Sequence, residues 1–159
     1  MIRIRPYKES DEARILSWCN DEDTFYKWTA GVWGDYPITA EQLRKTGDMI
    51  RFTAIDEKDP VGFFIIRNPR DTLDELRIGF VIVDPARRGQ GVGKAMLGLG
   101  LDFAFNIYRA KSVELGVFED NVQAHSCYAA IGFVDTDARE TYIVHGEERT
   151  SIVMECRRA

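Results

Sequence analysis

Residues 84–95 read DPARRGQGVGKA: two arginines, three glycines at alternate positions, then a lysine. The residues before it, LRIGFVIV (76–83), form an apolar, β-branched run suited to a buried strand. Those after it, KAMLGLGLDFAFNIY, have helical spacing, with Val92, Met96, Leu99, Phe103 and Ile107 marking one face. The segment is therefore a strand, a basic glycine turn and a helix. The first turn of a helix exposes unpaired backbone N–H groups at the positive end of the macrodipole, a ready anion site if no side chain blocks it. Gly89, Gly91 and Gly93 remove β-carbons where a ligand must approach the backbone, and Arg87, Arg88 and Lys94 add charge suited to phosphate. A tight turn with merely solvated arginines is the plain alternative; the strand–loop–helix context argues against it.

Two common phosphate patterns fail here. The Walker pattern G-x-x-x-x-G-K-[ST] finds Arg88 at its first glycine and Ala95 in place of the magnesium-binding hydroxyl. The dinucleotide pattern G-x-G-x-x-G, begun at Gly89, ends on Lys94. Nucleoside triphosphates and NAD are thereby disfavoured.

Outward from this stretch, IRIR (2–5) alternates as a short strand ending at Pro6, and Ser10 is placed to cap a helix running to about Asn20. DEDTFYKWTAGVWGDYPI (21–38) has no period and reads as irregular or short-helical. Thr39 with Gln42 makes a capping box for a helix TAEQLRKT, stopped by Gly47. RFTAID (51–56), VGFFIIR (61–67) and ELRIGFVIV (75–83) read as an antiparallel meander. SVELGVF (112–118) is a further strand and VQAHSCYAAIG (122–132) a helix. TYIVH (141–145) and ERTSIVMEC (148–156) pair as a hairpin across Gly146. The order β-α-α-β-β-β-α-β-α-β-β predicts an α/β fold with a mixed sheet, in one domain spanning 1–159.

Composition narrows the function. The 159 residues, 45% hydrophobic and 30% charged, are those of an ordinary globular domain that buries about two-thirds of its unfolded surface. No apolar run approaches the roughly 20 residues of a membrane helix. The charged start MIRIRPYKESDE has no signal-peptide core, so a cytoplasmic protein without membrane partners is expected. Cys19, Cys127 and Cys156 lack paired spacing, and His125 and His145 are the only histidines, so no metal is expected. A net charge of −5 argues against nucleic acid.

The glycine stretch resembles the signature of the GNAT superfamily, acyl-coenzyme-A-dependent N-acyltransferases. Their [Arg/Gln]-x-x-Gly-x-[Gly/Ala] motif corresponds to Arg88-Gly89-Gln90-Gly91-Val92-Gly93, and NVQAHSCYAAIGF (121–133) resembles the family's Asn-x-x-Ala-x-x-x-Tyr-x-x-x-Gly-Phe segment. Two motifs in this order, with a strand between them, are more specific than either alone. The resemblance implies a central, mostly antiparallel sheet with a V-shaped splay, flanked by helices. It implies that amides of residues 88–94 (Arg88, Gly89, Gln90, Gly91, Val92, Gly93 and Lys94) bind the pyrophosphate of acetyl-CoA. It implies too that the backbone of Val81, Ile82 and Val83 pairs with the pantetheine arm, with Gly79 compatible with a bulge in that strand. Asn121, by itself an N-cap, would also lie beside that arm. Tyr128 would protonate the departing thiolate, since a phenol of pKa ~10 keeps its proton at neutral pH yet can yield it to a thiolate of pKa about 8–9.

The acceptor implied is a primary amine, small-molecule or peptide, attacking directly in a ternary complex; dimers are common in the family, which leaves a homodimer open. One departure stands out. Where the ribosomal-protein N-terminal acetyltransferases place a base glutamate, five residues before the motif asparagine, this chain has Gly116. Glu75, Glu114 and Glu119 remain base candidates, with Glu75 preferred, beside a water-relayed proton. Phe25, Tyr26, Trp28, Trp33 and Tyr36 lie where the family builds its acceptor wall, with the C-terminal hairpin opposite. A longer acyl group, a non-catalytic acyl-CoA sensor and a nucleotide-binding regulator are the alternatives. Tyr128 favours catalysis, because a sensor needs no placed proton donor.

Overall fold

The computed structural model describes residues 1–45 and 47–159. Seven strands form one sheet: β1 (Ile2–Pro6), β2 (Met49–Asp56), β3 (Asp59–Arg67), β4 (Glu75–Val83), β5 (Ser112–Phe118), β6 (Val134–Val144) and β7 (Glu147–Arg157). Their order across the sheet is β1-β2-β3-β4-β5-β7-β6. Every pairing is antiparallel except β4 with β5, which is parallel and confined to Glu75–Arg77 opposite Ser112–Glu114. Beyond Arg77 the two strands part, and among the described residues no strand pairs with that side of β4. The splay is a V opening toward Val83.

Two cores lie on opposite faces of this sheet. Alternation along β3 sends Phe64 and Ile66 to one face and Phe63 and Ile65 to the other. The first face is covered by α4 (Val92–Asp102), through Val92, Met96, Leu97 and Leu101, and by Tyr128 of α5 (Val122–Ala130). The second is covered by α1 (Glu12–Leu16), α2 (Glu22–Thr29) and α3 (Ala40–Arg44), which contribute Ile15, Phe25 and Leu43. No helix among the described residues is long and apolar enough to cross a membrane.

Strand β4 changes face midway. Leu76 and Ile78 belong to the first core, but Ile82, still an even position, belongs to the second. One extra residue inverts a strand's alternation, and the β3–β4 register shifts between Phe63 and Ile65, opposite residues 80–81. The bulge is at Phe80, whose φ is +49°, and not at Gly79. Left-handed backbone costs a non-glycine residue about 1 kcal/mol or more. Two aromatic contacts hold it: the Trp28 indole N–H donates to the Phe80 carbonyl at 2.8 Å, and Trp33 stacks on the Phe80 ring at 4.0 Å.

Other elements depart from the sequence expectation for visible reasons. Ser10 does not cap α1; it is exposed within a 3-10 turn, Glu9–Asp11, that leads into the helix. Asp11 instead holds that turn, accepting from the Lys8 N–H at 2.9 Å, from Arg5 at 2.7 and 2.8 Å, and from the Thr53 hydroxyl at 2.8 Å. The aperiodic aromatic segment contains α2, whose N-cap Asp21 accepts from the Thr24 N–H at 2.7 Å. The Thr39–Gln42 capping box forms; the last residue expected in α3, Thr46, lies outside the described residues. After Asp102 the chain continues as a π-helical turn, Phe103–Ile107, whose wider winding rotates Ile107 off the apolar face to 68% exposure. Strand β6 begins at Val134, seven residues before its apolar signal, as an exposed outer edge paired with β7.

Candidate active site

The loop after β4 is built from local hydrogen bonds. The Asp84 N–H donates to the Val61 carbonyl at 2.9 Å, and the Asp84 carboxylate accepts from the Ala86 N–H at 2.9 Å, capping a 3-10 turn opened by Pro85. Gly89 and Gly91 take φ of +75° and +80°. Gly91 is the N-cap of α4 and brings no capping side chain. A β-carbon at either glycine would meet nothing within 4 Å. The first amides of α4 thus face open space. Arg87 is held at the back of the loop, donating to Asp56 at 2.6 Å and to the Gln90 side chain at 3.1 Å. Gln90 also donates to the Ala86 carbonyl at 3.3 Å, so its side chain braces the loop and does not line the cleft. Arg88 and Lys94 do line it, and among the described residues neither has an ion-pair partner. Free cations beside bare amides make a site for a polyanion.

The cleft has a volume of about 440 Å³ and runs from this loop into the V. Val81, Ile82 and Val83 line one side; Asn121, Cys127 and Tyr128 line the other. Asn121 caps α5, accepting from the Ala124 N–H at 3.4 Å. Tyr128 is buried in the wall of this cleft, and burial, with Cys127 beside it, pushes its phenol above the ordinary tyrosine value. It is therefore protonated at any physiological pH, as a proton donor must be.

A second cavity of about 300 Å³ opens on the other side of the splay. It shares Lys27, Trp28, Asn121 and Tyr128 with the first. Its further walls include Phe80 of the bulge, Phe118, and Tyr142 and Ser151 of the C-terminal hairpin. Of the five aromatics expected in the acceptor wall, Trp28 lines it; Phe25 and Tyr26 are core, and Trp33 and Tyr36 pack against that core. Gly116 also lines this cavity, and a β-carbon there would lie 2.9 Å from the Ser151 hydroxyl and 3.0 Å from an Arg77 nitrogen. The space a residue-116 side chain would need is filled by the Ser151 hydroxyl and the Arg77 guanidinium.

The carboxylates weighed as bases stand elsewhere. Glu75, at the closed base of the V, is half exposed and 3.6 Å from Arg70. Glu114 pairs with Arg70 at 3.1 Å and Arg77 at 3.2 Å, and Glu119 lies 3.9 Å from Arg139 on the surface. None of the three lines either cavity. Sequence reading missed Glu140, which accepts from Arg77 at 2.6 Å and, over a long 3.5 Å, from the Tyr142 hydroxyl. It also missed Lys27 and Arg67, both in the second cavity.

Residues 13–133 match the model of the acetyltransferase (GNAT) family. The chain belongs to that family. Members use acetyl-CoA, and the uncapped α4 terminus, the open glycine cradle and the unpaired edge of β4 fit that group. The fold is shared with solved GNAT structures. A spermidine N-acetyltransferase from Vibrio cholerae, in complex with CoA and spermine, superposes with a TM-score of 0.81 at 18% identity, over 98% of this chain and 95% of that one. A putative phosphinothricin N-acetyltransferase gives a TM-score of 0.77 at 16% identity, over 100% and 99%. In sequence, the chain is 38% identical over 68 residues to an uncharacterized protein of Mycobacterium leprae; the match spans 43% of this chain and 18% of that much longer protein.

Proposed function

We propose that this GNAT protein transfers the acetyl group of acetyl-CoA to a primary amine, the two substrates meeting at Tyr128. The observation that carries this reading is the convergence of two cavities, one headed by an anion cradle, on one buried, protonated phenol. Bound acetyl-CoA supplies a thioester carbonyl that a neutral amine attacks directly, with a thiolate as leaving group. The residues that would hold it are the amides around Gly89, Gly91, Val92, Gly93 and Lys94 together with Arg88, the free edge of β4 at Val81, Ile82 and Val83, and Asn121. Tyr128 holds at its hydroxyl the proton that the leaving sulfur requires. The backbone N–H groups of the free β4 edge are fixed donors suited to an oxyanion. Holding the amine in line is the other contribution, with effective molarities of ~10⁵ M or more for well-oriented partners.

The amine must also lose a proton, and the second cavity has no carboxylate in its wall. Tyr142 lines it and its hydroxyl donates to Glu140 over a long 3.5 Å, which makes that pair the route we assign to the departing proton. Release of free CoA thiol from acetyl-CoA, followed across a panel of primary amines, tests the function. Turnover with at least one amine is expected; tight CoA binding with no amine-dependent release from any of them contradicts it.

A further inference from the structure

The charges of the second cavity say what kind of amine it takes. Three cations line it (Lys27, Arg67 and Arg77), and no aspartate or glutamate does. Two of the three are compensated. The Lys27 ammonium lies 2.9 Å from Asp23, one helical turn back. Arg77 is held between Glu140 at 2.6 Å and Glu114 at 3.2 Å. Arg67, the last residue of β3, is half-buried, and its guanidinium has no hydrogen-bond or ion-pair partner among the described residues. The nearby carboxylates are already engaged by its neighbour. Burial, and then the adjacent Arg77 cation, hold its guanidinium below the ordinary arginine value, against a smaller opposing pull from Glu140, Tyr142 and Glu114. Such a group gains by meeting an anion and loses by meeting another cation.

We infer that Arg67 receives a carboxylate of the acceptor, so that the amine acetylated at Tyr128 belongs to an amino acid. This rests on the acetyl-transfer reading above and names its substrate class. Arg67 and Tyr128 line the same 300 Å³ space, which suits a small molecule, and guanidinium presents paired donors to the two oxygens of a carboxylate. The wall also includes Trp28, Phe80 and Phe118, an apolar and aromatic surface that suits an apolar side chain. A polyamine would bring further positive charge to a space already lined by cations.

The test compares acceptors that differ in one group. CoA release is measured with phenylalanine, leucine and methionine, with each one's decarboxylated amine, and with spermidine. At least one amino acid is expected to exceed its decarboxylated amine in kcat/KM by about ten- to hundredfold, the range of a charge-assisted hydrogen bond. Arg67→Met is expected to bring that ratio close to one, and Arg67→Lys to retain part of it, with CoA affinity measured on each variant to report folding. Decarboxylated amines or spermidine turned over as well as the amino acids overturn the inference while leaving acetyl transfer intact. An unchanged ratio in a folded Arg67→Met protein overturns it too. Silence from every amine in the presence of bound acetyl-CoA overturns instead the reading on which it rests.

Discussion

Replacing Gly91 with aspartate separates what the glycine loop does for folding from what it does for the ligand. Gly91 sits at φ +80°, where an aspartate pays a left-handed penalty of about 1 kcal/mol, smaller than for most residues. Its β-carbon would meet no protein atom within 4 Å, so no clash at that atom adds to the penalty. A carboxylate at the N-terminus of α4 returns about 0.3–1 kcal/mol by opposing the macrodipole and capping bare amides. The unliganded protein is therefore expected to unfold within about 1 kcal/mol of wild type. Binding should respond very differently. A negative charge about 4 Å from a phosphate, at an effective dielectric constant of about 20, is repelled by ~4 kcal/mol, or about a thousandfold in Kd. Calorimetric titration with CoA and chemical denaturation of the same samples measure both quantities. A CoA affinity within threefold of wild type, in a folded Gly91→Asp protein, would refute the assignment of this loop as the diphosphate cradle.

Tyr128→Phe removes one oxygen from the cleft wall and is expected to lower kcat ten- to a thousandfold with little change in CoA affinity, measured by steady-state kinetics and calorimetry; unchanged turnover removes it as the acid. Two glycines of α4 should give opposite signs in thermal unfolding. Gly100→Ala forces a β-carbon to 2.8 Å from the Phe64 ring and costs about 1–3 kcal/mol, whereas Gly98→Ala meets nothing within 4 Å and gains about 0.5–1 kcal/mol of helix propensity. Acid should weaken the seam between α1 and α3. Glu12 is buried and accepts from Arg44 at 2.7 and 2.8 Å and from Tyr7, and the Arg44 hydrogen bonds outweigh burial to hold its carboxyl below the ordinary glutamate value. Its folded-state pKa being depressed, its contribution is complete above the unfolded glutamate value and is lost as pH falls through the lower folded one. Glu12→Gln should cost about 2 kcal/mol at pH 7 and flatten the fall in stability below about pH 4.3, read from denaturation midpoints.

The strands that carry the site were legible in their apolar residues, a nearly unbroken run from Leu76 to Val83 in β4 and an alternation of buried Val113, Leu115 and Val117 in β5, and both strands begin and end where those patterns do. Gly91 before Val92, and the Asn121 cap, marked the two helices of the site equally well. What stayed hidden depends on contacts distant in the chain. Strand β6 from Val134 to Glu140 is mostly exposed and has no alternation to detect. The aromatics of α2 pack on several neighbours, which erased a helical period, though Asp21 with Thr24 was a readable cap. The bulge was sought at glycine because glycine takes positive φ without penalty, but Trp28 and Trp33, some fifty residues away, determine that Phe80 takes it. Arg67 closes an apolar strand and looks like a solvated flank; only the splay turns it toward a cavity. Glu75 is the reverse case, well placed in sequence but at the closed end of the V.

The indole bond from Trp28 to the Phe80 carbonyl joins a helix of the acceptor side to the strand that would hold the cofactor. Any movement of α2 to admit a bulkier amine must pull on that carbonyl, and so on the spacing of the β4 amides beyond it. The two substrates would then sense each other's arrival, each altering the other's affinity by the same factor. Sequence drift that retunes the choice of amine would be legible in how tightly CoA is held.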